Sequence, residues 1–139
     1  MNTPDLEALN KFINDNRNTG FQWHTNDCFM FTNKAWEVMY GHGWAEDWVK
    51  RYITDNGMYM SLKEMQKEFG FDTLEEAIDS KLTRVEGVPP RGALVLTDYS
   101  EKFALVKSFG ISIGNKCVFL GKKRLAFLPT KYITEAWVE

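Results

Sequence analysis

Few side chains in this sequence can do covalent or acid–base chemistry near neutral pH. They are two cysteines, Cys28 and Cys117, and two histidines, His24 and His42. Asp27 is a good helix cap, which places Cys28 in the first turn of a helix over residues 28–40. Free backbone N–H groups there stabilise a thiolate and can form part of an oxyanion hole. That is the chemistry of a thiol nucleophile. His24, four residues earlier, could approach Cys28 as its base. His42 follows the same helix and lies ~20 Å away at a rise of ~1.5 Å per residue. The structural alternative for Cys28 is a small core hydrophobe. The spacing of these four residues fits no metal motif, so no metal and no cofactor is expected.

Several elements must position this turn. Leu6, Leu9, Phe12 and Ile13 recur at helical spacing and form one face of a first helix, with Thr3 as its cap and Pro4 in the first position. Phe31, Ala35 and Met39 mark the buried stripe of the second helix, and Gly41-His42-Gly43 stops it. Residues 44–53 form a short amphipathic helix. Leu62, Met65 and Phe69 mark another. Thr73 with Glu76 opens a further one as a capping box. Beyond Leu82 the pattern changes. Gly87-Val88-Pro89-Pro90-Arg91-Gly92 breaks any helix. Short apolar runs of strand type follow at 93–96, 103–106, 109–114, 117–120 and 125–128. Asn115-Lys116 and the basic turn at Gly121–Arg124 are hairpin-length connections. Residues 1–139 thus make one α+β domain, with 1–82 mainly helical and 92–139 mainly strands.

The composition is that of a soluble globular chain. Of 139 residues, 44% are hydrophobic and 26% charged, and the net charge is −2. A nucleic-acid partner is not expected, since such proteins carry a basic excess. No window reaches the ~18 apolar residues of a membrane span. The N-terminus lacks the basic and apolar regions of a signal peptide, so synthesis in a cytoplasm is expected. The aromatic content is high, with 5 Trp. Trp44 and Trp48, spaced by four, and the C-terminal Tyr132 and Trp137 are candidate interface residues, because interfaces favour Trp and Tyr. The C-terminal segment is either a closing strand or a docking tail.

Beyond these local features, the Asp27-Cys28 helix start, the Gly92-Ala93-Leu94-Val95-Leu96 strand and the Phe109-Gly110-Ile111-Ser112-Ile113-Gly114 strand resemble the NlpC-type papain-fold cysteine peptidases, while Trp23-His24-Thr25-Asn26-Asp27-Cys28, Met39-Tyr40-Gly41, Arg51-Tyr52-Ile53-Thr54, Arg91-Gly92-Ala93-Leu94-Val95 and Ala136-Trp137 match the motifs of a smaller related family. The chain is more closely similar to a small tailed-phage and prophage domain family with a Trp-x-x-Asn-Asp-Cys motif. The resemblance covers nearly the whole chain. It implies a papain-like fold, with N-terminal helices packed on a C-terminal antiparallel sheet and Cys28 at the nucleophile position. It also implies a histidine base just before the Val-Gly-Ile strand and a polar orienter on the next strand. In this sequence those places fall on Ser108 and near Leu120. Neither residue can do that work.

The expectation is therefore a non-catalytic virion protein of the tail or head–tail junction. Its partners would be other virion proteins, and it would reach the particle by assembly from the host cytoplasm. The competing expectation is an active thiol hydrolase, a peptidase or cell-wall amidase, with Cys28 as nucleophile and His24 as base. A third is an interaction or regulatory module.

Overall fold

The computed structural model describes residues 3–19, 28–46, 67, 70–71, 73–98, 108–121 and 123–139, with the backbone alone for Cys28, Phe29 and Leu74. The expected helix over 62–69 lies, apart from Lys67, outside these residues. So do the expected strand over 103–106, the Asp27 cap, most of the 44–53 helix, His24 and Trp48.

Helix α1 spans Leu6–Asp15. Its cap is Asp5, whose side chain accepts from the Ala8 N–H at 3.0 Å, and not Thr3. A distant contact moves the start. The Asp5 N–H donates to the carbonyl of Met39 at 3.0 Å, which holds residue 5 extended. Leu9 and Ile13 are buried and Leu6 and Phe12 half-buried, so the amphipathic face is the one the spacing predicts.

Helix α2 spans Cys28–Tyr40. Phe31, Ala35 and Met39 are buried as expected, but Thr32, Asn33 and Trp36 are buried too. The helix lies between α1 and the sheet and is covered on more than one side. Its end is set by Gly41 at φ +84°, a left-handed turn that glycine adopts without penalty. Thr32 and Asn33 hold the segment that follows. The Trp44 indole N–H donates to Thr32 Oγ1 at 3.0 Å, and the Ala45 N–H to Asn33 Oδ1 at 2.9 Å.

Helix α3 spans Leu74–Asp79. Its cap is Thr73, whose hydroxyl accepts from the Glu76 N–H at 3.1 Å.

Six strands form one antiparallel sheet: β1 Thr83–Val85, β2 Leu94–Thr97, β3 Ser108–Ser112, β4 Lys116–Leu120, β5 Leu125–Pro129 and β6 Ile133–Val138. Their order is β1-β6-β2-β3-β4-β5. The β3–β4 and β4–β5 hairpins fall at the two predicted connections. The C-terminal segment is a closing strand, inserted between β1 and β2. Strand β1 has no apolar alternation to announce it. It exists because β6 offers it a partner.

Alternation along the strands gives each face its own core. Leu94, Leu96, Phe109, Ile111, Val118, Leu120 and Trp137 share one cluster with α1, α2 and α3. Val95, Cys117, Phe119, Leu128 and Ala136 form a second cluster on the opposite face. No helix among the described residues is long and apolar enough to cross a membrane.

Candidate functional site

The candidate site is the first turn of α2 and the strands beneath it. The helix begins at Cys28 and packs on β3, whose Phe109 and Ile111 belong to the helix-side core. The expected nucleophile position therefore lies at the N-terminal end of a helix supported by a sheet. His24 and the side chain of Cys28 lie outside the described residues.

The register of β3 decides what stands opposite. Ser108 pairs with Thr97, and Gly110 with Val95. These residues alternate with Phe109 and Ile111, so Ser108 is directed to the far face of the sheet, away from α2. It is buried there. Leu120 belongs to the helix-side core. Ser108 and Leu120 thus look to opposite faces, and the structure does not bring them together. A base at 108 oriented by a side chain at 120 would need both on one face.

His42 is at the other end of the uninterrupted helix from Cys28. Its Nδ1 is 3.1 Å from the Gly43 carbonyl, the geometry of an N–H donated to that oxygen. Its Nε2 is 3.5 Å from Glu139 Oε1. Burial, aided by the negative charge of Glu139, holds the Tyr40 hydroxyl above its ordinary pKa. This group ties the end of β6 to the end of α2 and takes no part near Cys28.

Cys117 lies on the face away from α2 and is fully buried. Burial pushes its thiol up to about 11, against hydrogen bonds with Ser112 and Thr130 that pull it down. A thiol so raised is protonated near neutrality and unreactive. Cys117 in a Cys28→Ser variant should therefore resist iodoacetamide at pH 8 and react only when the protein is unfolded. The proton is held more tightly in the folded state than in the unfolded one. The associated stability is complete below pH ~9 and is lost as the pH rises towards ~11. A Cys117→Ala variant should lack that alkaline loss in urea midpoints measured across this range.

Two of the four candidate interface residues are corrected. Trp44 is 5% exposed and sits edge-on to Phe109, with ring centroids 5.8 Å apart. Trp137 is 0% exposed. Both are core residues, because tryptophan at a position facing a sheet or helix is drawn inside by its area. Tyr132 is half-buried at the edge of the second cluster, and its carbonyl accepts from Thr97 Oγ1 at 2.7 Å.

Two adjoining clefts that the residue pattern did not announce lie along the β1–β6 edge. One, about 570 Å³, is lined by Glu75, Glu76, Arg84, Asp98 and Glu135 among others. The other, about 400 Å³, has Val85, Pro89, Ile133 and Ala136 in its wall. Among the described residues no group of three or more His, Cys, Asp or Glu side chains is placed to hold a metal ion.

No curated protein matches the chain. A family model, Domain of unknown function (DUF6950), matches residues 1–138, and the chain belongs to that family.

Proposed function

We propose that the protein is a non-catalytic structural or adaptor component of a tailed-phage particle, at the tail or the head–tail junction. In this reading it is built on a degenerate papain-like fold and carried into the particle by assembly from the host cytoplasm. Its partners are other virion proteins, and it requires no cofactor. The supporting observation is the register of β3. A helix that begins at a cysteine packs on this strand, as the resemblance implies. Yet the position expected to supply the base is a buried serine directed to the other face. A cysteine without a base keeps only the activation of the helix end. The phage setting is supported by the sequence resemblance.

Alkylation of Cys28 by iodoacetamide from pH 5 to 9, in a Cys117→Ser background, tests the chemistry. The expected rate is that of an unactivated thiol, unchanged by His24→Ala. Fast alkylation with an apparent pKa well below ~8.5, lost on removing His24, would establish the thiol hydrolase instead. Mass spectrometry of purified particles tests the location. The protein should be present at a fixed ratio to the tail proteins, and its absence would overturn the virion role.

A further inference from the structure

Strand β5 is the last strand of the sheet, so one of its edges has no neighbouring strand among the described residues. Such an edge offers its backbone groups to an extended chain, and most readily to the same edge of a second copy. The register tells which groups face outwards. The Leu125 N–H points away from β4, because it donates to the carbonyl of Arg17 at 3.0 Å. Inward and outward residues alternate along an antiparallel strand. Ala126 and Leu128 therefore bond to their partners Phe119 and Cys117 on β4, while Leu125, Phe127 and Pro129 form the outer edge.

Leu125 and Pro129 are both closed to a further strand. Arg17 lies just beyond α1, and its carbonyl occupies the Leu125 N–H. Its guanidinium holds the turn in place, donating to Asn14 Oδ1 at 3.1 Å and lying 5.4 Å from the centre of the Phe127 ring. Pro129 has no N–H to give. Its backbone is extended, at φ −58° and ψ 148°, a conformation open to other residues, so strand geometry by itself does not call for proline. Two copies pairing β5 to β5 about a twofold axis centred on Phe127 would set Leu125 opposite Pro129. Both donors of that pair are missing, one engaged and one absent. The other edge of the sheet is guarded differently. Strand β1 is 3 residues long and carries a cation, Arg84, in its middle.

We propose that the α1 turn and Pro129 act together as a guard that closes the β5 edge to strand addition by a second copy of this chain. The sheet then ends at β5, and contacts in any assembly run through side-chain surfaces. The inference holds whether the chain works in a particle or free in solution.

Amide hydrogen exchange read by NMR, with sedimentation velocity over a concentration series, tests it. In the parent the Phe127 amide should exchange at least ~tenfold faster than those of Leu125, Ala126 and Leu128 at every concentration. Pro129→Val restores the missing donor. It should raise association by ~tenfold or more, with the Phe127 amide protected in the associated species. Arg17→Ala in that background loosens the turn and should raise association further. A Phe127 amide as protected as its neighbours in the parent would overturn the proposal, because the edge would already be covered. So would a Pro129→Val chain that sediments as the parent does, or one that associates while Phe127 still exchanges freely.

Discussion

Trp137→Ala should cost ~3–5 kcal/mol, the range for truncating a buried large aromatic. That is a large part of the ~5–15 kcal/mol that holds an ordinary domain together. Trp137 has no exposed surface and lies in the core that β6 shares with α3. Its indole N–H donates to Asp79 Oδ1 at 2.8 Å. Arg84 grips both oxygens of the same carboxylate, at 2.9 and 2.7 Å, and its guanidinium lies 5.5 Å from the centre of the Trp137 ring. One side chain thus joins the end of α3, β1 and β6. Trp137→Phe keeps much of the buried area but loses the hydrogen bond and part of the ring's volume, so it should cost less, ~1–3 kcal/mol. Urea unfolding midpoints of the three proteins check the order. A Trp137→Ala cost below ~1 kcal/mol would mean that β6 is held by its backbone pairing alone.

The same cluster gives an acid signature. Burial raises the Asp79 carboxyl, but the hydrogen bonds from Arg84 and Trp137 and the charge of Arg84 together outweigh it and leave it below the ordinary value. A carboxyl lowered on folding contributes stability above its unfolded pKa of ~3.9, and that contribution is lost as the pH falls through the lower folded value. In Asp79→Asn this acid-sensitive component should be missing from the midpoint-against-pH curve.

Gly110→Ala should be as severe, with a loss of ~3 kcal/mol or more or a failure to fold solubly. Gly110 lies in the middle of the sheet, between Val95 of β2 and Phe119 of β4. A methyl group there would overlap the carbonyl oxygen of Val118 and come within 2.6 Å of Phe119 Cδ1. Phe119 is fully buried, and the oxygen belongs to a strand paired on both sides. Neither neighbour can yield. Phe119→Ala alone should cost ~3–5 kcal/mol, and the double variant should lose less than the sum of the two single losses, because the ring clash is gone while the Val118 carbonyl stays. A midpoint for Gly110→Ala within ~0.5 kcal/mol of the parent would show that β3 and β4 can separate. The glycine of Phe109-Gly110-Ile111 thus has a packing reason that is independent of any chemistry at Cys28. Its presence in the motif supports the sheet more than it supports catalysis.

What the chain declares locally, it declares well. The bounds of α2, the stop at Gly41, the Thr73 cap, the buried face of α1 and the two hairpins all follow from residues within a few positions of one another. Spacing and turn chemistry act over that range, so sequence alone suffices there. The α1 cap is displaced to Asp5 because Met39 lies beside it in space, thirty-odd residues away along the chain. Strand β1 and the placement of β6 rest on pairing between residues 83–85 and 136–138. Trp44 and Trp137 look like surface anchors until Phe109 and Asp79 are found against them. The candidate site divides in the same way. Cys28 at a helix start is local and was legible, whereas the opposed directions of Ser108 and Leu120 are a matter of register. A single-residue slip along β3 would reverse the first of them, and only the packing of both sheet faces selects between the two.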